Sequence, residues 1–393
     1  MYFEHIMTSD FLVLLFYASL FAFVLLYASR FFQLKDKRTP WIILAFFFIY
    51  NSLIFLDYKF NFIPFLPDSN QYDVLFKTGR PFDGMSRTLY GFLYAVKILR
   101  LLFLKNILVY ISFQVMLYFI AIGVFYRAWR LLYTASRPIG FEQIYFLLAL
   151  SLPSAFLYHL VPLRECFTTL GFSVSLYFLL RLFKLRKSIN LGFLGGLFVI
   201  VVTRMQVAFY FILGLMGVKF SLDRNLVRKF AAVLLGTAMF LGVLSLTSYK
   251  LSPNQLAAAR NYRVEKYSGS YGLVEWNGYA DMIKSSPQLL GQFLISPIPL
   301  LHNKNPWDMK LILLDALFML FVWAILLVNF RSWFNDYRVW FLLMFMYIGL
   351  FGIYEFNIGG AVRHRLPLSI MAILTVSQFL SVSYCSFKRK LVS

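Results

Sequence analysis

Apolar runs close to twenty residues long recur from one end of this sequence to the other, with few charges inside them. A helix rising 1.5 Å per residue needs about twenty such residues to cross roughly 30 Å of hydrocarbon. A chain inside a bilayer must satisfy every backbone polar group internally, so it crosses as helices or as a closed barrel. Barrel strands alternate polar and apolar side chains over about ten residues, whereas Phe11 to Ala28 is almost continuously apolar. The expected fold is therefore all-α, a polytopic transmembrane bundle. Composition agrees, with 60% hydrophobic, 20% aromatic and only 14% charged residues.

Grouping the runs gives about eleven spans, near 11–29, 40–61, 107–125, 141–159, 166–183, 190–203, 205–219, 230–248, 311–329, 338–354 and 366–385. The two short ones flank Arg204 and read as half-helices, or as one span broken near a site. Acidic Glu4 and Asp10 precede the first run, without a basic n-region or a small-residue cleavage site, so it reads as a retained helix. No repeat or soluble segment interrupts the pattern, and residues 1–393 read as one membrane domain.

The net charge of +21 would suggest nucleic acid in a soluble protein, but here Lys and Arg sit between apolar runs. Their dense clusters alternate with sparse connections, as around Arg30–Arg38, Arg127–Arg137, Arg181–Lys187, Lys219–Lys229, Arg331–Arg338 and Lys388–Lys390. The positive-inside rule makes that side cytoplasmic, putting the N-terminus outside and the C-terminus inside. Of 17 acidic residues only Asp36, Glu142, Asp223 and Asp336 fall on the basic side. The partners implied are membrane lipid and its anionic headgroups, with no nucleic acid. The two cysteines, Cys166 and Cys385, make no disulfide framework and no metal motif.

Both long connections, about 62–106 and 249–310, are then extracytoplasmic. The first contains Leu89–Leu104, apolar but interrupted by Lys97 and Arg100, which reads as an amphipathic helix lying at the interface. The second holds Ser286-Pro287 and Pro297-Ile298-Pro299 and reads as a segment dipping into the membrane or lining a groove. Its Tyr262, Tyr267, Tyr271 and Trp276 are candidates for stacking on sugar rings.

Ionisable groups at a membrane edge are costly, so four polar clusters on the outer side are the candidate chemistry. Pro67-Asp68-Ser69-Asn70-Gln71-Tyr72-Asp73 offers Asp68 as a general base or a metal ligand, or is a hydrated turn. Val161-Pro162-Leu163-Arg164-Glu165 joins two spans; its Arg164 grips a phosphate through paired hydrogen bonds or simply pairs with Glu165. Arg204 stands between the shortened spans, and Arg363-His364-Arg365-Leu366-Pro367 precedes the last one as an anion pocket or a membrane anchor. Joined in one cavity, these groups suit a substrate with a lipid tail, a phosphate bridge and a sugar head. His302 and Glu165 are understudies for the acidic or basic role. No HExxH, CxxC, P-loop or GxSxG pattern is present, and no cofactor or metal is called for.

The order of Pro67-Asp68-Ser69-Asn70-Gln71-Tyr72 after an early span, Arg164 opening a middle span and Arg363-His364-Arg365 before the last resembles the EpsG family of exopolysaccharide-synthesis membrane proteins. That family is similar to Wzy-type O-antigen polymerases and to the wider GT-C membrane glycosyltransferases. Asp68 and Tyr72 match an Asp-Thr/Ser-x-x-Tyr-like pattern and Arg164 the family's intramembrane Arg, while Arg204 stands where relatives often carry His. The Wzy signature of Arg, ten residues, then Gly is not reproduced after Arg204.

The resemblance implies a polymerase of bacterial surface polysaccharide (O-antigen, capsule or exopolysaccharide) in the inner membrane. It would join repeat units carried on undecaprenyl pyrophosphate, with a chain-length regulator as a protein partner. Asp68, Arg164 and Glu165 are the expected catalytic residues; Tyr72, Arg204, Arg363, His364, Arg365 and His302 are the expected substrate contacts. The alternatives are a GT-C transferase using a polyprenyl-phosphate sugar and a non-enzymatic flippase of lipid-linked glycans.

Overall fold

The structure, a computed structural model, describes residues 8–60, 63, 67–80, 90–133, 138, 140–185, 190–222, 252–266, 270–296, 306–355 and 357–392. In chain order its helices are α1 (Thr8–Phe32), α2 (Thr39–Phe60), α3 (Pro67–Thr78), α4 (Tyr90–Leu102), α5 (Ile107–Leu132), α6 (Phe141–Leu150), α7 (Pro153–His159) and α8 (Glu165–Leu185). There follow α9 (Leu191–Leu222), α10 (Pro253–Lys266), α11 (Tyr279–Ile295), α12 (Pro306–Val328), α13 (Phe330–Asp336), α14 (Arg338–Tyr354), α15 (Ile358–His364) and α16 (Leu366–Val392). Among the described residues no strand forms beyond one bridge between Ser270 and Asn357.

Segments of five helices are long and apolar enough to cross a bilayer: Phe11–Phe32, Thr39–Phe60, Ile107–Leu132, Glu165–Leu185 and Leu366–Phe387. The bent pairs α6/α7, at 50°, and α12/α13, at 74°, bring the number to seven if each is one crossing. The protein is thus an all-helical, multi-pass membrane protein with five to seven candidate spans among the described residues. Of the remaining expected spans, 190–203 and 338–354 are shorter apolar helices, 205–219 is the part of α9 beyond a break, and 230–248 lies outside the described residues. The chain divides into two compact units, one of residues 1–207 and 377–393, the other of residues 208–376.

In the first unit α5 is the interior helix, packed against α8, α1, α2 and α6. Its apolar window is 83% buried, against 28% for α1 and 39% for α2, which turn their remaining surface outward. Gly123 permits the α1/α5 crossing, because a Cβ there would lie 2.3 Å from the Phe32 ring. The bend between α6 and α7 follows from Pro153, which has no N–H to give Ala149 O. Tyr118 Oη donates to Ala149 O instead at 2.9 Å, and Tyr50 Oη to Leu150 O at 3.1 Å. Two ring hydroxyls therefore replace what the broken ladder loses, and Tyr145 Oη, donating to Ile122 O at 2.9 Å, ties α6 to α5.

At the other end of α5 the cationic cluster has a structural use. Arg127 Nη1 donates to Phe31 O at 2.6 Å and Arg130 Nη1 to Phe32 O and Gln33 O, covering the last carbonyls of α1. The buried Glu142 accepts from the backbone N–H groups of Lys35 and Asp36, which fixes the turn into α2.

In the second unit α11 packs on α14 and α12, and α15 joins them. A small core of Ala257, Val274, Trp276 and Leu289 seats α10 and the extended segment after it. Ser286-Pro287 lies within α11, and the Pro297–Pro299 segment is outside the described residues.

Candidate functional site

Pro162 and the buried Val161 and Leu163 form the turn after α7, and α8 opens at Glu165. Arg164 stands just before that helix, its carbonyl accepting from Phe167 N at 3.1 Å and Thr168 N at 3.2 Å. Gln114, inside α5, donates to Leu163 O and ties the turn to the interior helix. Glu165 therefore has a carboxylate in the first turn of a long helix, where the macrodipole favours negative charge.

Helix α9 reaches the same place by close packing. A Cβ at Gly196 would lie 2.6 Å from Ser175 Oγ and 3.0 Å from Gly171 O, so α8 and α9 cross with backbones nearly touching. Gly196→Val is expected to cost about 1–3 kcal/mol, as overpacking at a tight crossing does. A drop in the melting temperature in detergent, with Gly195→Ala as the neutral control, checks this.

Arg204 breaks α9, with φ −161° and ψ 80° inside an otherwise helical run. Two arginines stitch the break. Arg164 Nη1 donates to Thr203 O at 2.9 Å, and Arg204 Nη2 reaches Glu165 Oε1 at 2.7 Å, with both side chains of that ion pair about 5% exposed. Residues separated by 39 positions are thus brought together, as the expectation of half-helices beside a site requires. Two guanidiniums against one carboxylate leave a local excess of one positive charge. Among the described residues Arg164 spends Nη1 alone, and it is only partly buried.

Around this triad lie polar groups that the sequence reading did not select. His159 is fully buried, donates or accepts through Nδ1 at 2.9 Å from Ala155 O, and stacks on Tyr118 at 4.1 Å. Tyr110 and His159 both lie within electrostatic reach of Glu165. The available signal was a Gln, a Tyr and a His inside apolar spans, which a bilayer penalises unless they are partnered or used.

The cluster Arg363-His364-Arg365 splits between roles. Arg365 is 0% exposed and donates to Phe293 O, Leu294 O and Ser296 O, and to Asp315 Oδ2 at 2.5 Å. Its guanidinium is thus held by protein groups and fastens the end of α11, which corrects the expectation of a substrate contact. His364 Nδ1 pairs with Glu355, whose carboxylate packs so close to Gly360 that a Cβ there would meet Oε1 at 2.4 Å. Asn357 caps α15 through Gly360 N at 3.0 Å, and Arg363 stays partly exposed.

Arg260, outside the candidate residues, donates to Ile353 O at 2.9 Å, Glu355 O at 2.7 Å and Gly272 O at 2.8 Å. Burial pulls its guanidinium below the ordinary arginine range, with Tyr271 and Glu355 opposing. Burial, then the Glu355 carboxylate, pushes the Tyr271 phenol up.

Tyr271 and Trp276 are 3% exposed, and Trp276 Nε1 donates to Ser285 Oγ, so neither presents a face for sugar. Tyr262 is 65% exposed and does. Tyr72 is buried edge-to-face against Phe92. His302, Tyr267 and the side chain of Asp68 lie outside the described residues, although α3 carries Asp68 in its first turn. No group of three His, Cys, Asp or Glu is placed to hold a metal among the described residues.

The fold and these polar clusters define a multi-pass α-helical membrane protein with buried ion pairs inside its helical units. Comparison with protein-family models, with curated proteins and with solved structures finds no match.

Proposed function

We propose that this chain is a membrane-embedded glycosyltransferase that polymerises bacterial surface polysaccharide from undecaprenyl-pyrophosphate-linked repeat units. The observation that carries this reading is the meeting of Arg164, Glu165 and Arg204 at the break in α9. A partly exposed guanidinium held on the Thr203 carbonyl at a helix break, beside a buried Arg204–Glu165 pair, suits an anionic leaving group. In the reaction proposed, an acceptor sugar hydroxyl forms the new bond to the donor anomeric carbon while the bond to the pyrophosphate oxygen breaks. Asp68 takes the hydroxyl proton, and Arg164 stabilises the charge that collects on the leaving pyrophosphate.

In this reading the chain crosses a bacterial inner membrane about eleven times in a GT-C-like bundle, N-terminus outside and C-terminus cytoplasmic. Arg363, His364 and Tyr262 contact the glycan or its carrier, and a chain-length regulator is the protein partner. The resemblance to EpsG and Wzy proteins supports the substrate class.

Purified protein mixed with lipid-linked repeat units is expected to yield a ladder of longer glycans. Arg164→Ala should slow that ladder about 100- to 1000-fold, the usual effect of removing one donor from a developing oxyanion, while costing only about 1 kcal/mol of stability for the lost bond to Thr203 O. Units that cross the bilayer without lengthening would instead identify a flippase. Transfer of one sugar from a polyprenyl monophosphate would identify a GT-C transferase of the single-addition kind.

A further inference from the structure

Helix α4 is apolar on two opposite sides, which a helix merely resting on its own protein does not need. Phe92, Leu93 and Val96 are buried toward the unit. Tyr94, Ile98, Leu101 and Leu102 form the other side at 59–69% exposure. These residues lie at the i, i+4, i+7 and i+8 spacing of a single helical stripe.

The helix is tied to a membrane span at a defined depth. Tyr17 Oη of α1 donates to Leu102 O at 2.7 Å, and Phe21 packs edge-on against Phe103 with ring centroids 6.0 Å apart. Tyr17 is six residues, roughly 9 Å, along α1 from the start of its span at Phe11. The C-terminal end of α4 therefore lies at the level of acyl chains, in the leaflet where α1 begins. The chain then turns through Leu104 and Lys105, at φ 53° and 60°, into the Asn106 cap of α5.

Beside the apolar stripe stands a group of cations. Arg100 Nε donates to Lys77 O at 3.0 Å, joining α4 to the last turn of α3. Gly79, at φ +68°, closes α3 beneath them; a Cβ there would sit 3.5 Å from Arg100 Nη1 and 3.9 Å from Lys97 Cγ. Lys97 Nζ is 5.6 Å from the Tyr94 ring, and Arg80 is exposed at the next position after Gly79. Lys77 is balanced by Asp73 at 2.8 Å, which among the described residues leaves Arg80, Lys97 and Arg100 as the positive excess.

We infer that the α3/α4 corner binds an anionic phospholipid of that leaflet, its phosphate among Arg80, Lys97 and Arg100 and its chains on Tyr94, Ile98 and Leu101. The site holds an anion because, among the described residues, the cations outnumber the one carboxylate. It takes a lipid rather than a soluble phosphate because the cations border an exposed apolar stripe set at membrane depth. The inference is independent of any reaction the protein catalyses.

The test uses the full-length purified protein in detergent, with the melting temperature followed as short-chain phosphatidylglycerol is added. Phosphatidylglycerol is expected to raise it saturably, while phosphatidylcholine of the same chain length and inorganic phosphate leave it unchanged. Arg80→Gln/Lys97→Gln should raise the half-saturating phosphatidylglycerol concentration about 30-fold, as two lost surface cations would. Its lipid-free melting temperature should match the parent, since both side chains are exposed. Ile98→Ser/Leu101→Ser should weaken the lipid response as well. A wild-type titration in the Arg80/Lys97 variant overturns the inference, and so does an equal response to inorganic phosphate.

Discussion

Arg204→Ala is expected to destabilise the protein by about 3–5 kcal/mol, because it leaves Glu165 as a buried carboxylate without its guanidinium. The two side chains are 6% and 5% exposed and 2.7 Å apart, so water cannot take over the lost partner without opening the α8/α9 crossing. Glu165→Ala should cost a similar amount by stranding Arg204. Replacing both, as Glu165→Leu/Arg204→Met, should recover most of the loss, since an apolar pair of similar volume carries no desolvation cost. That double variant separates stability from chemistry. A variant that folds at the parent's melting temperature and still extends lipid-linked glycans would show that the pair only fastens the broken helix. A folded variant that makes no ladder would place the pair in the reaction. Thermal unfolding in detergent, run beside the ladder assay, reads both.

The apolar runs made much of the helical layout legible, because only helices near twenty residues long meet the bilayer's demand for internal hydrogen bonding. Phe11–Phe32, Ile107–Leu132 and Leu366–Phe387 fall where the runs lie. The break in α9 was legible for the same reason, since an arginine has no place in the middle of a continuous span. So was α4, from two cations at helical spacing in an apolar stretch. The bend at Ser151–Leu152 had a visible cause in Pro153, but the run 141–159 hides it from hydropathy alone.

What the pattern did not reveal is partnership. Glu165 and Arg204 are both costly groups in a membrane, yet nothing in their spacing says that a glycine crossing delivers one to the other. Arg363, His364 and Arg365 look alike as a run. Roughly half a turn separates Arg365, fully inward, from Arg363, partly exposed, and that phase depends on how α15 meets α16. Arg260 gave no signal because a polar helix outside the spans shows no penalty for a charged residue. Asp315 did give one, as a lone carboxylate in an apolar run, and its partner 50 residues away was among the candidate site residues.

That partnership predicts the second large effect. Arg365→Ala removes the counter-ion of a carboxylate at 0% exposure, and it also strips donors from the carbonyls of Phe293, Leu294 and Ser296. Loss of the ion pair alone is expected to cost about 3–5 kcal/mol, which is comparable with the entire stability of many domains. The uncovered carbonyls at the end of α11 add to it, so Arg365→Ala should fail to accumulate as folded protein. Arg365→Lys keeps the charge but lacks the planar fork that serves Asp315 and the carbonyls together, so it should rescue only part of the loss. Asp315→Asn keeps the shape and a hydrogen-bond acceptor for Arg365 while removing the negative charge, and should be milder than Asp315→Ala. Arg363→Gln, on the neighbouring and partly exposed side chain, should fold at the parent's melting temperature. The measurement is the yield of monodisperse protein in detergent and its melting temperature across these five variants. If Arg365→Ala were as stable as Arg363→Gln, water would have to reach the Asp315 carboxylate at the junction of α15 and α16.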